Sequence, residues 1–236
     1  NPEQAIAAYN RALENDPRHQ LALERLEALY VSQYKWEELF DIYQKMVDVA
    51  NTDEDMAGCY QRMAKIASDA LDRESDSIDL WNRVLELRGE DPLALGELAV
   101  LHERGERWEE LVEIRERQVY VIEDAEAKVA AYQTLGRVYG EKLDRERDAR
   151  DAWLNALEID DTNIATLQAL HRIYENSQAW VELIEILERL ITVGPGVLPD
   201  DEMRELYAKI GRIHGEYLMQ PEQAIEAWHR VLETDA

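Results

Sequence analysis

The sequence predicts an all-α fold in which antiparallel helix pairs stack along a line as a solenoid. Trp36, Trp108 and Trp180 recur at one constant interval, inside the similar motifs KWEEL, RWEEL and AWVEL. Self-similarity at a long fixed period is typical of repeat architectures. Only 10 glycines and 6 prolines occur in 236 residues, and no segment alternates apolar and polar residues as a strand would.

A second tryptophan series supports the same period. Trp81 and Trp153 are separated by the same interval, Trp228 follows after an interval three positions longer, and Tyr9 stands one interval before Trp81. Since each repeat packs mainly on its neighbours, we expect one continuous solenoid over residues 1–236. It would consist of a half repeat (1–17) and super-repeats at 18–90, 91–162 and 163–236.

The apolar spacing predicts thirteen helices. The first is expected over 2–15, where Ile6, Tyr9 and Leu13 share a face and Asp16-Pro17 provides a stop. The others are expected near 18–33, 36–50, 53–71, from Ser75 past Leu85, 91–104, 108–122, 125–143, 146–159, 163–176, 179–193, 199–218 and 221–234. The three extra residues of the last super-repeat fall in GPGVLPD, which lengthens a surface loop.

Capping residues and helix breakers agree with these bounds. Asn51-Thr52-Asp53 offers capping oxygens for one predicted helix, and Asp91-Pro92 and Asp161-Thr162-Asn163 mark the starts of two others. Gly105 and the Gly194-Pro195-Gly196 loop interrupt the helical periodicity.

Charge and cysteine content limit the classes of partner. Lys and Arg number 26 against 51 Asp and Glu, a formal net charge of -25 that would repel nucleic acid and anionic membranes. Cys59 has no second cysteine to pair with, which favours a cytoplasmic setting.

No apolar run is long enough to span a membrane and no secretion signal opens the chain. The chain begins and ends inside the repeat pattern, so we expect a fragment of a longer array.

No constellation of catalytic or metal-binding residues appears. The five histidines have no partner at metal-ligand spacing. Asn51, Asp53 and Asp55 superficially resemble a calcium loop, but Met56 replaces the glycine and Arg62 the bidentate glutamate. We therefore expect no enzyme activity, no cofactor and no metal.

The repeat resembles the tetratricopeptide repeat (TPR), a helix hairpin of about 34 residues. The residues that carry the resemblance are Leu135, Gly136, Tyr139, Ala149, Trp153, Ala156 and Leu157, and again Ile210, Gly211, His214, Ala224, Trp228 and Leu232. The resemblance implies a right-handed superhelix whose first helices line a concave groove. The long super-repeats marked by tryptophan are similar to those of long bacterial TPR proteins.

Alternate hairpins depart from the TPR pattern at the helix crossing. The small crossing residue becomes Glu27, Ala99 or His171. Because larger residues force helices apart, we expect tight and wide hairpins to alternate. All six tryptophans should lie in second helices as core residues, and replacing a buried one with Ala would cost about 3–5 kcal/mol.

The resemblance also implies a candidate site on the concave face. The position after the crossing residue is basic in four repeats, and the position one turn earlier carries an amide in three. These residues are Lys65, Arg137, Arg172 and Arg212, with Gln61, Gln133 and Gln168. Arginine suits bidentate carboxylate binding. The alternative is that Arg137, Arg172 and Arg212 pair with Glu141, Glu175 and Glu216 on their own helices. Ala28, Glu24 and Gly96 do not match the carboxylate clamp that binds chaperone tails.

These features predict a non-enzymatic protein-interaction scaffold that binds a partner peptide or helix in the groove. One alternative is a structural spacer, or a solenoid that self-associates through the ends of the array. Another is the regulatory segment of a larger enzyme. Fold alone does not distinguish them.

Overall fold

The computed structural model describes residues 1–233, which form thirteen α-helices and contain no strand. The helices are α1 Pro2–Asn15, α2 Gln20–Ser32, α3 Trp36–Val49, α4 Asp53–Asp69, α5 Glu74–Arg88, α6 Pro92–Arg104, α7 Trp108–Val121, α8 Ala125–Glu141, α9 Glu146–Ile159, α10 Ile164–Asn176, α11 Trp180–Val193, α12 Asp200–Arg212 and α13 Pro221–Glu233. A π-helical segment, Ile213–Tyr217, continues α12. The predicted all-α hairpin solenoid is confirmed.

Side-chain caps fix the starts of α4, α6 and α10. Thr52 Oγ1 accepts a hydrogen bond from the Asp55 amide at 3.1 Å, and Asp91 Oδ1 accepts one from the Ala94 amide at 2.9 Å. Asn163 Oδ1 caps α10 by accepting from the Thr166 amide at 3.0 Å. Each cap satisfies an amide that has no partner within its own helix.

The helices fall into two compact units, Asn1–Val121 and the part from Ile122 onward. Within each unit, helices that follow one another along the chain pack together. In the second unit the core includes Leu157, Leu167, Leu170, Leu183 and Leu187. The predicted single solenoid domain with its super-repeat boundaries stays a prediction.

Two kinds of turn alternate within the hairpins. In the turns after α2, α6 and α10, an amide bonds the carbonyl five residues earlier: Lys35 to Tyr30, Arg107 to His102 and Ala179 to Tyr174, at 2.9–3.0 Å. In the other three the bond reaches back six residues: Arg73 to Ala67, Arg145 to Tyr139 and Gln220 to His214, at 2.7–2.8 Å. Every turn also holds one non-glycine residue in the left-handed region, and these are Tyr34, Asp72, Glu106, Asp144, Gln178 and Met219.

Helix separation follows the same alternation. Helices α4 and α5, and α8 and α9, approach more closely than α2 and α3, α6 and α7, or α10 and α11. The indole of Trp153 lies directly over Gly136, where an added Cβ would come within 2.5 Å of its Nε1. In the wide α2–α3 hairpin, the Tyr43 hydroxyl instead donates to Glu27 Oε1 at 2.8 Å. The expected tight and wide hairpins are therefore confirmed.

All six tryptophans lie in second helices, as predicted, but their burial differs. Trp81 is 1% exposed, and Trp36, Trp108, Trp153 and Trp180 are half-buried. For Trp228 the prediction of a core position is wrong, since its side chain is 43% exposed. Within residues 1–233, the main packing partners of α13 are α12 and the π-helical segment that continues it.

Gly136→Ala tests the tight crossing. We expect it to lower the free energy of unfolding by about 1–3 kcal/mol, because the added methyl displaces the Trp153 ring. Gly140→Ala is the matched control in the same helix, because its Cβ would meet its nearest neighbour, Ala149, at an ordinary 3.5 Å. The control should raise stability by up to about 1 kcal/mol through helix propensity. Equal effects in urea denaturation would contradict the close Gly136–Trp153 contact.

Candidate functional site

A cavity of about 420 Å³ opens between α8, α9 and α10 in the second unit. It exists because the residues that line it are small where the helices come closest. Gly136 and Gly140 of α8 have no side chain, and Ala149, Ala165 and Ala169 contribute only methyl groups. Side chains that would otherwise fill the space between successive first helices are therefore missing.

The cavity combines an aromatic side with a basic one. Trp153 and Ile173 supply apolar surface, and Arg137 from α8 and Arg172 from α10 line the same space with exposed side chains. Gln168 lines the cavity one turn before Arg172. A carboxylate that enters here would meet two guanidinium groups beside an apolar surface, which is a favourable setting for a charge-assisted hydrogen bond. The structure thus brings three of the seven predicted residues together.

The cavity is not uniformly basic. Glu141 and Glu146 also line it, so a long anionic ligand would be repelled along part of its length. The arrangement therefore favours one or two carboxylates over a polyanion.

The other two amides of the predicted row have structural roles. The Gln133 side-chain nitrogen donates to Asn163 Oδ1 at 3.0 Å and to Thr166 Oγ1 at 2.9 Å, which joins α8 to the start of α10. Gln61 Oε1 accepts from Arg88 Nη1 at 3.1 Å. The Gln168 side chain, by contrast, forms no hydrogen bond within residues 1–233.

The alternative that the arginines pair along their own helices is wrong for Arg172 and Arg212. The Glu175 carboxylate pairs instead with Lys209 Nζ of α12, at 2.8 Å. This hydrogen bond and the lysine charge hold the pKa of Glu175 below its usual value. Neither Arg172 nor Arg212 forms an ion pair in the described part of the chain. Arg212 is exposed and does not line the cavity.

Sequence reasoning missed the contribution of Lys209. Its Nζ lies 2.9 Å from His171 Nε2 and so joins α10 to α12 through two residues of α10. Burial, reinforced by the lysine charge, lowers the pKa of His171. The neutral imidazole accepts a hydrogen bond from the lysine ammonium group. In the sequence, His171 and Lys209 are separated by about the length of one hairpin, and this spacing is the one feature that could have indicated their contact.

The first unit has a cavity of a different character between another pair of first helices. A cavity of about 840 Å³ between α2 and α4 is lined by Glu24, Glu27, Glu54 and Asp55 together with several bases. Arg88 is held by Glu54, with its Nε 3.0 Å from Oε2. Lys65 is exposed but lines no part of this cavity.

Nothing in the described residues resembles a metal site. Within residues 1–233, no three His, Cys, Asp or Glu side chains are grouped so that they could hold an ion. None of the helices in that range has the length and apolar character needed to span a lipid bilayer.

Comparisons with known proteins point to one repeat family. A family model for the tetratricopeptide repeat matches residues 94–152 and 166–198. Tetratricopeptide repeat protein 37 of Xenopus laevis is 25% identical over 251 residues, which cover 99% of this chain and 14% of that protein. The chain therefore spans about one seventh of the length of this relative.

Solved structures with a similar fold include other repeat proteins. The C-terminal part of a TPR repeat-containing protein from Cytophaga hutchinsonii gives a TM-score of 0.49 at 16% identity, with 100% of this chain and 91% of that chain covered. MamA gives a TM-score of 0.46 at 19% identity, with 76% and 91% covered.

The lowered pKa of His171 predicts a dependence of stability on pH. The unfolded chain binds a proton at the usual histidine pKa of about 6.5 and the folded chain only at lower pH. Stability from this group is thus present above pH 6.5 and is lost as pH falls through the folded pKa. His102, whose pKa burial also lowers, acts in the same direction.

We expect urea denaturation to give a smaller free energy of unfolding at pH 5.5 than at pH 7.5. Replacing His171 and His102 with Gln should shrink that difference, whereas His229→Gln, at an exposed position, should leave it unchanged. A difference that survives the double substitution would mean that other groups cause it.

Proposed function

Since the chain is a tetratricopeptide repeat protein, we propose that it is a non-enzymatic scaffold whose second unit binds an extended segment of a partner protein at the α8–α10 cavity. Tetratricopeptide repeats serve protein–protein interaction in general, and the cavity supplies the specific element. The observation that carries the proposal is Arg172. It is exposed, lines the cavity and has no ion-pair partner within residues 1–233.

The lack of a partner for Arg172 is informative because acids are abundant. The chain carries 51 Asp and Glu against 26 Lys and Arg, so a surface arginine has many opportunities to pair. On α10 the nearest acid, Glu175, is already bound by Lys209. A partner carboxylate would therefore find Arg172 available, and its planar guanidinium can hold both carboxylate oxygens.

The partner's overall charge follows from two opposing effects. The net charge of -25 repels a strongly acidic chain over a distance of about 8 Å at physiological salt. The cavity attracts a carboxylate over hydrogen-bond distances. A segment with one or two acidic side chains on a neutral or basic background satisfies both. Gln168 would bond its backbone, and the Trp153 ring would contact an apolar neighbour of the acid.

The remaining predicted residues have secondary roles in this proposal. Arg212 and Lys65 are exposed bases that would add to the attraction for a carboxylate without lining the cavity. Gln133 and Gln61 would act indirectly, by holding the helices that carry the groove. We further propose a cytoplasmic setting, in which Cys59 remains a free buried thiol.

Reversing the two cavity arginines tests the proposal. Peptides selected from a random library on the unsubstituted chain would be measured by fluorescence anisotropy against Arg137→Glu combined with Arg172→Glu. We expect binding at least tenfold weaker, about 1.4 kcal/mol, because each new carboxylate repels the partner carboxylate that the arginine attracted. The melting temperature should change little, since both side chains are exposed.

The matched control changes net charge equally on second helices of the same unit. Arg147→Glu with Arg189→Glu alters exposed residues of α9 and α11, neither of which lines the cavity. Equal losses of affinity in the two double variants would show that net charge alone causes the effect. The proposal that the peptide binds at the cavity would then be wrong.

A further inference from the structure

A second cavity of the second unit, about 600 Å³ in volume, lies between the second helices α9 and α11. Leu154 and Leu157 of α9 and Ile186 of α11 give it apolar walls, and Tyr174 of α10 lines it from below. Among the described residues, none lines both this space, the α9–α11 cavity, and the α8–α10 cavity. The two cavities are therefore separate surfaces.

The α9–α11 cavity is acidic. Of its lining residues within 1–233, four are carboxylates, Glu158, Asp161, Glu182 and Glu185, and one is basic, Arg189. None of the four carboxylates forms an ion pair in that range. Carboxylates are common over the whole chain, so the acidic lining alone does not mark a binding site.

The Tyr174 hydroxyl is the feature that distinguishes this cavity from the rest of the acidic surface. Tyr174 is only 7% exposed, yet it lines the cavity. Its hydroxyl forms no hydrogen bond within residues 1–233. A polar group that is buried without a partner costs free energy, and a ligand that supplies the missing hydrogen bond recovers that cost.

The residues at the same repeat position elsewhere in the chain do have partners. One tryptophan interval earlier stands His102, and two intervals earlier stands Tyr30, and both are as deeply buried as Tyr174. The Tyr30 hydroxyl accepts a hydrogen bond from Asn10 Nδ2 at 3.3 Å. His102 Nδ1 accepts one from Arg107 Nε, also at 3.3 Å. The buried polar atom at this position is thus normally an acceptor for a side-chain N–H group.

Both kinds of donor are missing around Tyr174. The residue that corresponds to Asn10 is Leu154, and the residue that corresponds to Arg107 is Ala179. Since apolar residues have replaced an amide and a guanidinium, the acceptor is left open toward the cavity. A ligand that carries N–H donors would occupy the place of the lost side chain.

The charges near this hydroxyl favour a cationic donor. Burial raises the pKa of Tyr174, Arg150 opposes the effect, and the carboxylates of Glu182 and Glu185 add to it, so both carboxylates face the hydroxyl. Arg150 is paired with Asp151, with its Nε 3.5 Å from Oδ1. An entering cation would therefore meet two unpaired carboxylates beside a neutral acceptor.

We infer that the α9–α11 cavity binds an arginine side chain of a partner protein. One guanidinium N–H donates to the Tyr174 hydroxyl while others donate to Glu182 or Glu185, because the planar group presents several donors at once. The aliphatic part of the arginine packs on Leu154 and Ile186. This surface prefers the charge opposite to that preferred by the α8–α10 cavity, and the inference does not rest on the function proposed for that cavity.

A short neutral peptide with blocked ends and one central arginine is the probe, and the same peptide with citrulline in that place is its uncharged control. Amide NMR titrations at physiological salt should show the arginine peptide shifting signals of α9 and α11 and binding at least about tenfold more tightly than the citrulline peptide. Glu182→Gln with Glu185→Gln should weaken arginine binding at least about tenfold, and Tyr174→Phe about threefold or more.

Each variant has a matched control. Glu188→Gln with Glu205→Gln removes the same charge from exposed positions of α11 and α12 that do not line the cavity. Tyr30→Phe removes a buried hydroxyl that already has a partner, Asn10. Both controls should bind the arginine peptide as the unsubstituted chain does.

Three results would overturn the inference. Equal losses in the two glutamate double variants would mean that diffuse charge attracts the peptide. Unchanged affinity in Tyr174→Phe would mean that the arginine does not reach the hydroxyl, and equal binding of the citrulline peptide would exclude recognition of charge. If Glu182→Gln with Glu185→Gln is unfolded by circular dichroism, the comparison of Tyr174→Phe with Tyr30→Phe decides alone.

The same titration separates the two cavities. The Arg137→Glu, Arg172→Glu variant should bind the arginine peptide at least as tightly as the unsubstituted chain, because neither residue lines the α9–α11 cavity and the chain becomes more acidic. Weaker binding in that variant would place the arginine peptide at the α8–α10 cavity and would contradict the inference.

Discussion

The close crossing of first and second helices in alternate hairpins is the constraint on which the rest of the structure depends. At Gly136 and at Gly211 an indole ring of the second helix occupies the space where a Cβ would stand. Only a residue without a side chain lets the ring fit there at this distance. The indole ring then provides the buried apolar contact area at a position where glycine provides none. This contact fixes the register of the two helices.

The candidate site is a consequence of this crossing. Because Trp153 lies against Gly136, the remaining small residues of α8 and α10 leave an open volume beside the ring instead of a filled interface. Arg137 and Arg172 each follow a crossing position directly, so their side chains reach the opening from two different helices. The same alternation places a larger crossing residue, His171, where α10 meets α12, and there Lys209 and Glu175 close the surface with an ion pair.

Much of the fold could be predicted because its signals are local. Helix bounds follow from apolar spacing and from caps such as Thr52 and Asn163, which act within four residues of their own position. The two hairpin types were predictable as well, since glycine or a larger residue at the crossing changes the distance that two helices can reach. The candidate site was predicted only in part. Arg172 and Gln168 line one cavity, and their role in binding stays a prediction, whereas Gln133 bonds Asn163 and Thr166 and thus serves packing.

The sequence by itself determined the helices, their order, the alternation of hairpins and the position of the tryptophans within them, because each of these depends on residues within one or two turns or on the repeat period. The tertiary structure alone decided which charges pair and which faces are covered. Glu175 is three residues from Arg172 on its own helix, yet its carboxylate pairs with Lys209, because α12 brings an ammonium to 2.8 Å. Trp81 and Trp153 have matching positions in the repeat, but Trp81 is 1% exposed and Trp153 is half-buried. Such outcomes depend on distances between helices, and spacing along the chain does not fix them.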